Sequence, residues 1–187
     1  MNMVLVRNKG WLRALLVVAG LLLPSLPASL AAEAISAELC AVAVNDVVID
    51  IITYTRWPHP ISALQMCIAG QTAYAGSLLG LKHNHEGRVL VTRRIDLAEP
   101  AQFDGCDVVY LGKMASEQRE ALPDLLNGRG ILAIEEDNPG CERGGIFCLR
   151  LGADRISFSV NLDSLSRSGL KVHPGVLKLG RKGRGGQ

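Results

Sequence analysis

Asp107-Val-Val-Tyr-Leu111, then Ser116 to Asn127, then Gly130-Ile-Leu-Ala-Ile-Glu135 is the stretch that decides the fold. Asp107–Leu111 is a short apolar run of strand length, of the kind that is buried on both faces. Ser116 offers a hydroxyl to cap a helix, Gly128 offers a stop, and Pro123 is placed to kink the segment between them. Gly130–Glu135 is a second apolar run. Strand, helix and strand in immediate succession are the unit of a layered α/β domain, because a crossover helix lets two strands lie parallel.

The same alternation extends outward. Residues 36–56 carry Val44, Val47, Val48, Ile51 and Ile52 at helical spacing, with Ser36 as the start and Trp57-Pro58 as the stop. Leu64–Ala69 reads as a strand containing Cys67. Thr72–Lys82 reads as a second helix, His83–Gly87 as a polar turn and Arg88–Ile95 as another strand. Ile146–Leu151 and Arg155–Leu162 alternate around Gly152-Ala153-Asp154 as a hairpin, which makes the sheet mixed. Asn161 caps a short helix, Leu162–Ser168, ended by Gly169, and Pro174–Leu179 starts a last helix. The expected fold class is α/β: a single layered domain with a mixed, largely parallel β-sheet flanked by helices.

Arg7, Lys9 and Arg13 precede an apolar run from Ala14 to Leu23, then Pro24 and small residues. That order is a signal peptide's. The run is too short for a membrane span of roughly 20 residues. Ser29-Leu30-Ala31 sets cleavage after Ala31, with Ala34 as second choice. Residues 1–31 are therefore read as leader and 32–187 as one exported domain. Residues 32–187 carry 17 basic against 18 acidic side chains, a net charge of −1. Only the tail from Lys178 to Arg184 is locally basic, and interspersed with Gly it reads as a solvated terminus, so no nucleic-acid partner is expected.

Catalytic signatures are sparse. Gly128-Arg-Gly130-Ile-Leu-Ala133 matches the letters of a dinucleotide fingerprint but follows a helix and enters a strand, the wrong order for pyrophosphate. Gly175–Lys182 has Arg181 where a P-loop needs Lys. His83, His85 and Glu86 supply too few ligands for a closed zinc site and read as a hydrophilic turn. His59 and His173 adjoin prolines with no nucleophile partner. No Cys-x-x-Cys occurs. The expectation is a binding protein with no cofactor and no metal. Leu170, Val172, Val176 and Leu179 can form a partner patch, although their spacing favours the core.

Cysteine carries the rest. In an oxidising compartment thiols pair. Cys141-Glu-Arg-Gly-Gly-Ile-Phe-Cys148 reads as a local staple, with Gly144 and Gly145 permitting the reversal. Cys67 and Cys106 are the natural long-range pair. Chain-entropy arithmetic gives roughly 2–3 kcal/mol for the first and roughly 4 kcal/mol for the second, against a typical domain stability of ~5–15 kcal/mol. Cys40 is left over, an unassigned thiol on an apolar-rich helix.

Trp57-Pro58 after an apolar helix, the spacing of Cys67, Cys106, Cys141 and Cys148, and the closing Asn161–Leu179 stretch (NLDSLSRSGLKVHPGVLKL) together resemble the YfiR family. The likeness covers nearly all of the mature chain, and Cys40 has no counterpart in it. It implies a periplasmic inhibitor that binds the periplasmic domain of an inner-membrane, YfiN-like diguanylate cyclase and lowers cyclic di-GMP. It further implies release by an OmpA-like, YfiB-like outer-membrane lipoprotein, homodimers, a structural bridge at Cys141–Cys148 and a redox-sensitive one at Cys67–Cys106. Two other readings stay open: a periplasmic small-molecule binding module with a pocket between sheet and helices, and a thiol-dependent enzyme.

Overall fold

The computed structural model describes residues 28–79, 83–85, 88–136, 138–152 and 156–181. The expected leader lies outside the described residues as far as residue 27. So do Glu86, most of the Gly152-Ala153-Asp154 turn, and the tail from residue 182.

Helix α1 spans Ala28–Tyr54, starting earlier than the Ser36 cap predicted, because Ala-Ser-Leu-Ala-Ala-Glu-Ala is strongly helix-forming. Val44, Val48, Ile51 and Ile52 are its buried stripe. It stops before Arg56, since Thr55–Arg56 form a two-residue strand, β1. The central sheet contains β2 (Ala63–Ala69), β3 (His83–His85), β4 (Arg88–Arg94), β5 (Val108–Leu111), β6 (Leu132–Glu135), β7 (Phe147–Leu151) and β8 (Ile156–Val160). Its spatial order is β3-β4-β2-β5-β6-β7-β8. The pairs β4–β2, β2–β5, β5–β6 and β6–β7 are parallel, while β3 and β8 close the edges antiparallel. This is a mixed, largely parallel sheet with flanking helices in a single α/β domain.

The central strands β2, β5 and β6 bury both faces, as their continuous apolar runs require. Met66, Ile68, Val108, Tyr110, Leu132, Ile134 and Phe147 pack with α1 and the C-terminal segment. Cys67, Ala69, Val109, Leu111 and Ala133 pack on the other side with Leu122 and Leu126 of α2 (Ser116–Leu126) and with Phe103. Leu170, Val176 and Leu179 belong to the first of these layers and are buried, and Val172 packs against it half-buried, so this group is core and not a patch.

Three local readings are corrected. Thr72–Lys82 contains only a 3-10 turn, Ala75–Ser77, among its described residues. Gly76 and Gly80 each weaken a helix there by about 1 kcal/mol, and Ala75 and Leu78 anchor the turn in the core. His83–His85 is an edge strand, not a turn, because it pairs with Arg88–Leu90. Ser116 is the first helical residue of α2; the cap is Ala115, whose N–H is taken by the Gln118 Oε1 at 3.0 Å. Helix α3, Leu162–Ser168, matches its sequence reading: the Asn161 Oδ1 accepts from Ser164 N–H at 3.0 Å, and Gly169 is left-handed. After it, β9 (Lys171–Val172) pairs antiparallel with β1, and Pro174–Arg181 is 3-10. No described helix is long and apolar enough to cross a membrane.

The loops leaving β2 and β5 are zipped together. Gln71 N–H donates to Lys113 O at 3.1 Å, Lys113 N–H to Gln71 O at 2.8 Å, and Gly112 N–H to Ala69 O at 2.9 Å. A Cβ on Gly112 would sit 2.2 Å from Gln71 O, where backbone cannot yield. Gly112→Ala is expected to lower unfolding free energy by about 1–3 kcal/mol, the range for overpacking. Urea unfolding followed by far-UV circular dichroism checks this, and an unchanged midpoint would contradict it.

Candidate functional site

The four paired cysteines occupy two places with a common feature. Cys67 lies in β2 and bonds Cys106, just before β5, with Cα atoms 5.8 Å apart. Cys141 lies in the connection from β6 to β7 and bonds Cys148 in β7, with Cα atoms 5.6 Å apart. All four are buried. Cys40 sits half-buried on α1, outside both bridges.

The Cys67–Cys106 bridge ties the β4-to-β5 crossover to the middle of the sheet. That crossover holds only a 3-10 turn, Pro100–Phe103. Arg93, paired with Cys67 in register, reaches over the bridge. Its Nη2 donates to Gln102 O at 2.8 Å and Asp104 O at 3.1 Å, and lies 3.4 Å from the Cys106 Sγ. A guanidinium so placed stabilises negative charge on that sulfur.

The Cys141–Cys148 loop is built around a buried carboxylate at the end of a strand, Glu135. Glu135 is fully buried at the C-terminal end of β6. One carboxylate oxygen accepts from Gly145 N–H, and the other lies 3.3 Å from the Arg119 Nε of α2. A Cβ at Gly144 would come within 2.2 Å of this carboxylate, and one at Gly145 within 2.9 Å of the Glu135 Cγ. The two glycines thus make room for Glu135 as well as turning the chain. Asn138 fixes the loop's start by accepting Cys141 N–H and donating to Arg143 O at 2.8 Å. Asn161 and Ser164 of the α3 start donate to Glu142 O and Gly144 O.

Other candidate residues do not converge. His173 accepts Gly175 N–H on its Nδ1 and stands beside Tyr54, while His59 lies in the exposed Trp57–Ile61 loop. The side chains of His83 and His85 lie outside the described residues. What sequence reasoning missed was Glu135, Arg119 and Arg93. The only available signal was a carboxylate closing an otherwise apolar strand.

Burial raises the Glu135 pKa above the ordinary value, opposed by the Gly145 N–H and by Arg119. The folded state therefore holds this proton more tightly than the unfolded chain. Its contribution is fully present below the unfolded carboxyl pKa and declines as pH rises through the folded one. Relative to the wild type, Glu135→Gln should gain stability as pH rises from the ordinary carboxyl range through the raised folded pKa. Paired melts across that range check the slope, and a constant difference would contradict it.

The resemblance found in the cysteine spacing and C-terminal stretch is matched by comparison with known families. The profile of the YfiR/HmsC-like family matches residues 42–181, a span that includes every strand of the sheet and both bridges. The chain belongs to the YfiR/HmsC-like family.

Proposed function

We propose that this protein is a periplasmic regulator of cyclic di-GMP signalling that binds the periplasmic domain of a membrane diguanylate cyclase and holds its output low. Membership of the YfiR/HmsC-like family over residues 42–181 carries this reading. Residues 1–31 act as the cleaved leader that delivers it to the periplasm. The inhibitor works by binding one conformation of the cyclase's periplasmic domain better than the other, because only differential affinity shifts an equilibrium. An OmpA-like outer-membrane lipoprotein relieves inhibition by competing for the same protein. Homodimerisation belongs to the same reading. The protein does no chemistry of its own on a substrate.

The two bridges have different roles in this reading. Cys141–Cys148 is structural. It keeps the β7–β8 hairpin and the Glu135 loop in a binding-competent shape. Cys67–Cys106 is redox-responsive. Arg93 beside the Cys106 Sγ supports this assignment, because a cation there favours the thiolate that leaves when a reductant attacks the Cys67 sulfur. A dithiol reductant delivers two electrons and two protons, leaving two cysteine thiols and becoming a disulfide itself.

Cys141→Ser/Cys148→Ser should lower the melting temperature by roughly 4–12 °C, the equivalent of roughly 2–3 kcal/mol, and raise cellular cyclic di-GMP. An unchanged melting temperature with full retention of the cyclase domain would sink the structural role. For the earlier pair, mild reductant should weaken pull-down of the cyclase's periplasmic domain, and the Cys67→Ser/Cys106→Ser protein should already show that weaker retention. Equal capture with and without reductant would leave this bridge merely structural.

A further inference from the structure

The parallel strands have a topology that singles out one position. The chain enters at β2, crosses to β4 on one side, and then to β5 on the other, before continuing through β6 and β7. The winding therefore reverses between β2 and β5. In open α/β sheets, ligands lodge beyond the carboxyl ends of the strands at such a reversal, because the two flanking connections leave in opposite directions. Here that location is a crevice of about 700 Å³. Its floor is the Gln71–Lys113 zipper, whose backbone groups already satisfy one another.

The lining mixes apolar side chains, Ile95, Leu97 and Met114, with polar ones weighted toward positive charge. Arg94 and Lys113 project from the ends of β4 and β5, and Gln71, Gln102 and Gln118 supply amides. Neither cation is in an ion pair among the described residues; the Arg94 Nη2 meets only the Thr72 Oγ1, at 3.5 Å. The one lining carboxylate, Asp96, is occupied locally, accepting from Ala98 N–H at 2.9 Å while its own N–H donates to the Gln102 Oε1 at 2.8 Å. Ala115, which caps the eleven-residue α2, also lines the crevice and has no side-chain oxygen for the first-turn N–H groups. The helix's positive end adds to the two cations, partly offset by the Glu117 carboxylate in its first turn.

We propose that this crevice is a binding site for a small anionic metabolite. Its acid group, a carboxylate or phosphate, is held between Arg94 and Lys113, and its neutral polar remainder is held by the glutamine amides. Guanidinium and ammonium groups recognise both kinds of acid. The inference stands independently of the regulatory reading, since it rests on the crevice alone.

Titrating the ¹⁵N-labelled protein separately with orthophosphate and succinate, at constant ionic strength, tests it. Saturable amide shifts centred on Gly70, Gln71, Lys113 and Ala115 are expected with at least one probe, and the probe that saturates distinguishes phosphate from carboxylate. Arg94→Gln/Lys113→Gln should weaken that titration by about tenfold or more. Both side chains are exposed, so its melting curve should match the wild type's. Lys178→Gln, on the basic tail, should leave the titration unchanged. Shifts centred elsewhere, no saturation with either probe, or equal binding by the double variant would overturn the proposal.

Discussion

The structure depends on how its parallel strands are connected without enough helix to do it. A parallel pair needs a crossover over the sheet face, and an α-helix normally holds that crossover down by burying an apolar stripe. The β5-to-β6 connection has such a helix, α2, with Leu122 and Leu126 buried. The β4-to-β5 connection has a single 3-10 turn, and residues 136–146 between β6 and β7 contain no helix among those described. Both of these connections carry a disulfide, whereas the β2-to-β4 connection, with only the Ala75–Ser77 turn among its described residues, is held by the buried Ala75 and Leu78 and by the antiparallel β3. Covalent closure of the two bridged connections does what side-chain burial does at α2: it removes unfolded-state freedom that a short polar loop has too little apolar area to offset.

The same economy explains the buried charge. The β6-to-β7 loop must satisfy its backbone groups close to the sheet, and Glu135 accepts from the Gly145 N–H while Arg119 reaches in from α2. The carboxylate is the buried member of this pair, so its burial is costly unless the Gly145 N–H and Arg119 stay in place. The arrangement therefore fixes the loop's shape more than it adds to stability. Glu135, Gly144, Gly145 and the Cys141–Cys148 bridge form one unit in which each makes room for, or holds, the others.

Much of this was legible in the sequence. Asp107–Leu111, Ser116–Asn127 and Gly130–Glu135 are locally self-consistent, with propensity, apolar pattern and stop signals in agreement, and the structure follows them within a residue or two. Asn161 and Gly169 bound α3 because cap chemistry is local. The misreadings occur where non-local pairing decides. His83–His85 is a strand only because β4 offers an edge, and Thr55–Arg56 only because Lys171–Val172 returns to it. The run from Thr72 loses its helix to two glycines and to the zipper that redirects the chain at Gln71. The crevice itself was invisible in sequence, since Arg94, Lys113 and Gln118 are brought together by strand order alone.

Strand order also places the crevice beside one of the bridges. Gln102, which lines it, has its carbonyl held by Arg93, and Arg93 lies over the Cys106 Sγ. One wall of the crevice is thus the crossover that Cys67–Cys106 pins to β2. An anion bound as proposed would contact the same segment, residues 95–106, that the bridge pins. Linkage is reciprocal: whatever factor bridge closure contributes to the anion's affinity, the bound anion contributes to the bridge's resistance to reduction. If both proposals hold, such a regulator would read metabolite and redox state through a single segment. Its only helical turn is 3-10, so its place on the sheet rests on the buried Ile95 and Phe103 together with the bridge.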